Sequence, residues 1–299
     1  MTRVGILLSG RGSNMVALVE QARGYEVALV ASDRPDAPGI AWARDHGLPT
    51  FALSPKGIGK PAFEVAVETA LRDAGVEVVA LAGYMRLLSP DFVARWRGRI
   101  VNIHPSLLPL YKGLDTHARA LAAGDAQAGC SVHLVTEELD DGRVLGQARV
   151  AIEPGDTPDT LAARVLVAEH ALYPRILAEF CMPPLDRIRD IALRLPETQE
   201  RESHGQPTFF VADQQFAQVR EDHHGDGRTV VCVRTADADE QAMLLDAAPE
   251  TYSRPADLGA SGWVAMNLAS DPDWSLVEDR IARSWELAAP TGLLEAGGR

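Results

Sequence analysis

Short apolar runs alternate with longer amphipathic stretches over about the first 180 residues. The runs that predict buried strands are Val4–Leu8, Glu26–Ala31, Val76–Leu81 and Ile100–His104. The stretches that predict helices are Met15–Arg23, Gly39–His46, Pro61–Asp73 and one beginning at Ser89-Pro90-Asp91. Strands that alternate with helices in this way indicate β-α-β units, and therefore an α/β fold with a mainly parallel sheet.

The pattern changes after a long helix that is predicted to begin at Thr157-Pro158 and to run toward Phe180. Met182-Pro183-Pro184 cannot continue a helix and indicates a linker. Beyond it lie one further helical stretch, three short strands and two more helices: Leu185–Leu195, then Thr208–Val211, Phe216–Arg220 and Thr229–Thr235, then Asp239–Ala247 and Trp274–Leu287. We therefore expect an α/β domain over residues 1–182 and a small α+β domain over residues 185–299.

Composition and charge narrow the class of protein. The chain has 299 residues, 46% of them hydrophobic and 24% charged, which excludes disordered and fibrous classes and leaves room for two domains. The net charge of −13 is uneven, because residues 1–182 carry −3 and residues 183–299 carry −10. This acidity disfavours nucleic acid as a partner.

Neither metal nor membrane is expected. Three distant cysteines form no C-x-x-C pair, so no zinc site or disulfide framework is indicated, and a cytoplasmic location is expected. His223-His224 is followed by glycines that are typical of a hairpin turn, so we predict no metal there either. The N-terminus enters a strand-length run directly, so we expect neither a signal peptide nor a membrane span there.

A glycine-rich turn, Ser9-Gly10-Arg11-Gly12-Ser13-Asn14, follows the first predicted strand and opens into a helix. Backbone N–H groups at a helix N-terminus favour an anion, above all phosphate. Met15 stands where a dinucleotide fingerprint has its third glycine, so a single phosphate is favoured over a dinucleotide. The alternative is a turn that merely connects strand to helix.

Asn102 and His104 stand at the end of another predicted strand. Residues two apart on a strand point to the same side, so an amide and an imidazole can converge on one reacting atom, as suits negative charge growing on a carbonyl oxygen. The acidic segment Glu137–Gly142 follows Ser131–Val135, and one of its carboxylates could orient His104 and favour its protonated form. From spacing alone, a solvated charged turn is the better interpretation of that segment.

The motifs together resemble the phosphoribosylglycinamide formyltransferase family. They are Gly12-Ser13-Asn14, Met85–Pro90, Asn102–Pro109, Gly113–His117, Ser131-Val132-His133 and Glu138-Leu139-Asp140, in the family's order over residues 1–182. The resemblance implies a Rossmann-like domain that transfers a formyl group from the co-substrate 10-formyltetrahydrofolate to the amine of glycinamide ribonucleotide. Small-molecule substrates are thus the expected partners, and a homodimer is compatible with the sequence.

The resemblance also implies roles for individual residues. The catalytic residues would be Asn102, His104 and Asp140, and the phosphate and ribose would be held by Gly12, Ser13, Asn14 and Glu169. The folate pocket would be formed by Lys60, Met85, Arg86, Leu87, Leu88, Asn102, Glu137 and Asp141. The chain departs from the family pattern at Leu110, Lys112, Asp115 and Arg143, which leaves the fine substrate contacts open.

Related reactions remain as alternatives. Formyltetrahydrofolate deformylase and methionyl-tRNA formyltransferase resemble the same domain around the three catalytic residues. The glycine turn favours a phosphorylated small acceptor over water, and the net charge of −13 does not suit transfer RNA. A nucleotide-binding protein that has lost the chemistry is a further alternative, against which the intact Asn102, His104 and Asp140 speak.

The second domain resembles the MmcQ/YjbR-like family through Arg187–Pro196, Pro207-Thr208-Phe209, Phe216–Arg220 and Gly262-Trp263-Val264. Its net charge of −10 favours a protein-interaction or stabilising role over DNA binding, although a local basic groove of Arg220, Arg228 and Arg234 stays open. Its tryptophans, Trp263, Trp274 and Trp285, are expected to pack in the core.

Overall fold

A seven-stranded sheet forms the centre of the first unit, Met1–Met182, in the computed structural model, which describes residues 1–222, 227–268 and 272–296. The strands are β1 (Thr2–Leu8), β2 (Tyr25–Ser32), β3 (Thr50–Ala52), β4 (Val78–Leu81), β5 (Ile100–His104), β6 (Gln127–Leu134) and β7 (Val144–Ala151). Their order is β3-β2-β1-β4-β5-β6-β7, with parallel pairing from β3 to β5 and antiparallel pairing of β6 and β7. The α/β fold with a mainly parallel, Rossmann-like sheet is confirmed.

Helices cover both faces of this sheet. They are α1 (Ser13–Glu20), α2 (Pro38–Asp45), α3 (Gly59–Asp73), α4 (Pro90–Arg95), α5 (Thr116–Ala123) and α6 (Pro158–Cys181). Successive strand residues face opposite ways, so Ile6 and Leu8 join the core beneath α1, α2 and α6, whereas Leu7 joins the core beneath α3 and α4. Strands buried on both faces explain why the apolar runs in the sequence are continuous.

Two helix starts follow their sequence signals. Ser89 Oγ accepts the Phe92 N–H at 3.2 Å before α4, and Thr157 forms a capping box with Thr160 before α6. The predicted strand at Val76–Leu81 begins two residues late, at Val78, because the Val76 N–H bonds to the Leu71 carbonyl and closes the end of α3. Helix α1 spans Ser13–Glu20 rather than Met15–Arg23.

An antiparallel sheet forms the second unit, which begins at Pro183. Its strands are β8 (Thr198–Ser203), β9 (Gln206–Val211), β10 (Gln214–Glu221), β11 (Thr229–Arg234), β12 (Tyr252–Ser253) and β13 (Trp263–Asn267), in the order β12-β13-β11-β10-β9-β8. Its helices are α7 (Pro184–Ala192), α8 (Ala238–Ala247), α9 (Trp274–Ala288) and α10 (Thr291–Ala296). Helices α7 and α9 pack on the sheet face that carries Phe209, Phe216 and Val231.

The structure excludes Arg220 from the basic groove that the sequence left open in this unit. This side chain is buried, and its two terminal guanidinium nitrogens donate to the Asp257 carboxylate at 2.8 and 2.9 Å. Because its charge is neutralised inside the unit, Arg220 is not available to a phosphate backbone. Trp263 and Trp285 are buried, as expected of core residues, and Trp274 is partly buried.

Two further expectations from the sequence concern a metal site at His223-His224 and a membrane span. His223 and His224 lie outside the described residues. Within the described part of the chain, none of the helices combines the length and the apolar character that crossing a membrane requires.

Candidate active site

The glycine turn and the Met85–Leu88 segment meet where β1 and β4 end. The Ser9 N–H donates to the Gly83 carbonyl at 3.1 Å, and Ser9 Oγ accepts the Met85 N–H at 2.9 Å. Ligands of open α/β sheets bind beyond the carboxyl ends of the strands. The two segments that were predicted to hold different substrates are therefore fastened to each other at that edge.

Gly12 has a conformation and a packing position that only glycine fits. Its φ is +77°, and a Cβ built on it would lie 3.0 Å from the Gly39 Cα at the start of α2. No side chain caps the start of α1, and its first turn carries no acidic residue. The N–H groups of that turn thus suit an anion such as phosphate.

Asn14 and Glu169 form a buried pair beside this turn. Asn14 Nδ2 donates to Glu169 Oε2 at 2.7 Å, and burial raises the Glu169 pKa while this hydrogen bond opposes the rise. Among the described residues, nothing donates to the buried Asn14 Oδ1. An acceptor without a donor inside a protein is costly, so this oxygen suits a hydroxyl or amine group of a ligand.

His104 contacts hydrogen-bond acceptors through both ring nitrogens. Its Nδ1 lies 3.4 Å from Asp140 Oδ2, and its Nε2 lies 3.0 Å from the Tyr111 carbonyl oxygen. Asp140 is buried at a φ of +50°, and its Oδ2 also accepts the Gly113 N–H at 2.9 Å. The carboxylate that spacing alone assigned to a solvated turn is therefore held against the imidazole.

His133 is a site residue that the sequence reasoning did not single out. It stands opposite Asn102 in the antiparallel β5–β6 pair, and its Nε2 lies 3.1 Å from Asn102 Nδ2. His133 Nδ1 faces the Leu134 carbonyl at 2.8 Å and must donate to it, so Nε2 accepts from the Asn102 amide. Burial lowers the His133 pKa, which keeps the ring neutral and suits this role.

Several large apolar side chains are exposed on the segments that flank these polar groups in the sequence. Met85 and Leu87 are 69% and 68% exposed, and Leu110, Leu114 and Leu139 are also exposed. Arg86 lies over the Phe63 ring at 5.6 Å, and Leu88 packs against the core beneath α3 and α4. These apolar side chains are available to contact an organic ligand.

The remaining predicted folate contacts lie on exposed segments. Lys60 Nζ lies 3.8 Å from Glu64 Oε1, and this oxygen accepts the Ser89 N–H at 2.8 Å, next to the end of Met85–Leu88. Glu137 is exposed. Asp141 is ion-paired with Lys112, and this partner lowers the Asp141 pKa.

The positions that depart from the family pattern lie in the same region. Lys112 makes the ion pair just described, and Asp115 has a φ of +58° at the start of α5 without capping the helix. Arg143 also has an interaction within the protein.

Among the described residues, no three or more histidine, cysteine, aspartate or glutamate side chains are grouped to hold a metal ion.

Comparison with known families divides the chain in two. Residues 2–177 match the formyl transferase family model, and residues 193–287 match the YjbR family model. The first match covers more than half of the chain. The second agrees with the resemblance seen in the C-terminal sequence.

Individual relatives share the first unit. The phosphoribosylglycinamide formyltransferase of Escherichia coli (strain K12) is 42% identical over 180 residues, which are 58% of this chain and 85% of the relative. The trifunctional purine biosynthetic protein adenosine-3 of Drosophila pseudoobscura pseudoobscura is 40% identical over 202 residues, covering 65% of this chain but only 15% of the relative. The chain thus spans a small part of such multifunctional relatives.

A solved structure agrees with the sequence matches. The crystal structure of phosphoribosylglycinamide formyltransferase from Brucella melitensis is 51% identical, with a TM-score of 0.58. The match covers 61% of this chain and 96% of that one.

Proposed function

The chain belongs to the formyl transferase family, and we propose that it transfers a formyl group from 10-formyltetrahydrofolate to the amine of 5-phosphoribosylglycinamide in purine biosynthesis. The observation that carries the proposal is the group of Asn102, His104 and Asp140 next to His133. It places an amide and a carboxylate-bound imidazole together at the end of a buried strand. A formyl transfer needs such groups to stabilise an oxyanion and to move a proton.

The acceptor is proposed from the glycine turn. A ribonucleotide needs a phosphate site, and the uncapped first turn of α1 after Gly12 provides backbone donors for one through Ser13 and Asn14. Glu169 would accept hydrogen bonds from the ribose hydroxyls, because its carboxylate is buried beside Asn14. Water as the acceptor would need neither feature.

The formyl donor is proposed from the apolar surface. Met85 and Leu87 would lie against the flat pterin ring, and Arg86 and Leu88 would hold that segment on the protein. Lys60, Glu137 and Asp141 would lie toward the charged part of the folate. For Asp141, this contact would compete with its ion pair to Lys112.

The reaction needs a stabilised oxyanion and a moving proton. When the acceptor amine attacks the formyl carbon, negative charge grows on the formyl oxygen, and Asn102 and His104 would donate hydrogen bonds to it. His104 would also help carry the amine proton toward the departing folate nitrogen, while Asp140 orients the ring. Since Nε2 of His104 faces the Tyr111 carbonyl, the substrate oxygen must share or replace that acceptor.

The test is the dependence of formyl loss on the acceptor. Loss of the formyl group from 10-formyltetrahydrofolate is measured with the full chain, with and without 5-phosphoribosylglycinamide. The proposal expects rapid loss only when the ribonucleotide is present. Equally fast loss without it would instead support a formyltetrahydrofolate deformylase, and binding of both ligands without turnover would support a silent nucleotide-binding protein.

The cellular setting is proposed as well. We place the enzyme in the cytoplasm, because its three distant cysteines fit a reducing compartment and its proposed substrates are small molecules. For the second domain we propose a protein-interaction or stabilising role, since it carries 11 arginines against 21 carboxylate side chains and would repel a phosphate backbone.

A further inference from the structure

The loop of residues 110–114, here called the clamp loop, contacts both members of the His104–Asp140 pair through its backbone. The Tyr111 carbonyl faces His104 Nε2 at 3.0 Å, and the Gly113 N–H donates to Asp140 Oδ2 at 2.9 Å. The orientation of the imidazole and of the carboxylate therefore depends on where this loop lies.

The clamp loop needs to be held, because its own conformation is strained. Tyr111 has a φ of +53°, in the left-handed region that side chains other than glycine rarely adopt, and Gly113 has a φ of +81°. The side chains of Leu110 and Leu114 are exposed and supply little packing. Contacts from outside the loop must fix it.

Ser106 Oγ donates to the Leu110 carbonyl at 2.6 Å, and the Tyr111 hydroxyl donates to Asp125 at 2.6 Å, which hold the start of the loop. Arg119, on the first turns of α5, supplies the contacts to the part around Gly113. Its Nη1 donates to the Lys112 carbonyl at 2.7 Å and to the Leu114 carbonyl at 3.2 Å, and its guanidinium lies 5.2 Å from the centre of the Tyr111 ring. One side chain thus holds residues on both sides of Gly113. The Lys112–Asp141 ion pair connects the clamp loop to the acidic segment Glu137–Gly142.

We propose that Arg119 is a positioning residue for the reaction, acting through the clamp loop on His104 and Asp140. The inference rests on the proposed formyl transfer at this site. The planar guanidinium binds two carbonyls and an aromatic face at once, which a lysine cannot reproduce. Small errors in the placement of a catalytic group lower the rate without weakening substrate binding elsewhere.

The first test separates kcat from KM. Arg119 is exposed and alanine is a strong helix former, so Arg119→Ala should keep α5. We expect kcat to fall about fivefold to tenfold, in keeping with the loss of charge-assisted hydrogen bonds at an exposed site, while KM for the ribonucleotide changes little. Arg119→Lys should recover only part of kcat.

The matched control is Arg99→Ala. Arg99 is also exposed, donates to the Arg95 carbonyl at 2.8 Å and lies 4.8 Å from the Trp96 ring, so it makes the same kinds of contact away from the clamp loop. Its replacement should leave kcat unchanged. An equal fall of kcat in the two variants would overturn the proposal.

The second test needs no substrate and stays decisive even if the proposed acceptor is wrong. In protein with ¹⁵N-labelled histidine, the His104 Nε2–H and the His133 Nδ1–H should both give slowly exchanging ring signals, because each faces a backbone carbonyl. Arg119→Ala should lose the His104 signal and keep the His133 signal, and Arg99→Ala should keep both. Retention of the His104 signal in Arg119→Ala, or loss of both signals together, would overturn the proposal.

Discussion

Asn102 and His133 face each other across β5 and β6, with the amide nitrogen 3.1 Å from the imidazole Nε2. The neutral histidine accepts one amide hydrogen and so fixes which way the Asn102 side chain points. The second amide hydrogen is then left for the formyl oxygen. An asparagine that could rotate would spend part of its time presenting its own oxygen to that position.

His133→Phe should therefore lower kcat about tenfold. The ring shape remains in the core, but the acceptor that orients Asn102 is lost, which weakens one oxyanion donor without removing it. Steady-state kinetics measure the effect. His46→Phe changes an exposed histidine that stacks on Trp42 and should leave kcat unchanged, whereas unaltered kcat in His133→Phe would contradict the orienting role.

His104→Ala and Asp140→Asn should each lower turnover by roughly 10²–10⁴-fold, the usual range for loss of acid–base help. Both substitutions remove the 3.4 Å contact between His104 Nδ1 and Asp140 Oδ2. The double variant should therefore turn over only slightly more slowly than the single variants. Rates of the purified variants measure this. Near-normal turnover of His104→Ala would exclude the proposed proton transfer.

Gly12→Ala should weaken ribonucleotide binding at least tenfold. The added Cβ would lie 3.0 Å from the Gly39 Cα, and the φ of +77° would cost about 1–2 kcal/mol in a residue with a side chain. The turn must shift, and the N–H groups of α1 shift with it. Calorimetric titration measures the affinity, and Gly24→Ala, where a Cβ meets open space at a φ of +74°, controls for backbone strain alone. Equal affinities of the Gly12→Ala and wild-type proteins would contradict the phosphate role.

Glu169→Gln should raise stability and weaken substrate binding together. Burial raises the Glu169 pKa above its ordinary value of 4.5, so the folded state holds this proton more tightly than the unfolded state. Ionised Glu169 therefore lowers the free energy of unfolding once the pH exceeds its ordinary pKa. This loss of stability grows until the pH has passed the raised pKa of the folded state. Thermal unfolding should show the variant gaining stability over the wild type as pH rises above about 4.5.

The same variant should raise KM for the ribonucleotide, because a neutral amide offers one weaker acceptor to the ribose hydroxyls. Asn14 can still donate to the new amide oxygen, so the local fold is kept. A stability difference that shrinks as pH rises would contradict the buried-charge explanation.

Much of the first unit could be predicted because four of its strands, β1, β2, β4 and β5, are largely buried on both faces. Ile100–His104 was predicted to the residue, since its apolar run is continuous. In the second unit, β8 was missed because Thr198–Ser203 is mostly polar and shows no clear alternation. The strand is held by its pairing with β9, which the sequence does not display locally.

For the candidate site too, the sequence predicts only the contacts that follow from local spacing. Asn102 and His104 are two residues apart on one strand, so their convergence follows from the pleat. His133 contacts a partner 31 residues away through strand pairing, and Arg119 contacts partners up to 8 residues away in a loop with positive φ angles. Neither contact leaves a spacing signal, although His133 stood within the motif Ser131-Val132-His133 that carried the resemblance.

The second domain offers a further check on the proposed roles. Its core is built from residues beyond Pro183, and the first unit buries its own core within residues 1–182. We expect a fragment of residues 1–182 to keep kcat within about twofold of the full chain, since none of the proposed catalytic groups lies in the second unit. Kinetics of both proteins, with thermal unfolding to verify the fragment, measure this. A loss of tenfold or more would show that the appendage takes part in the reaction.

The most direct measurement follows the formyl carbon itself. The full chain is mixed with 10-formyltetrahydrofolate labelled with ¹³C in the formyl group and with 5-phosphoribosylglycinamide, and the product is read by ¹³C NMR. Formyl transfer predicts that the label appears as an amide-bound formyl group on the ribonucleotide, at a rate that His104→Ala lowers at least a hundredfold. Label released as free formate, or left on the folate, would contradict it.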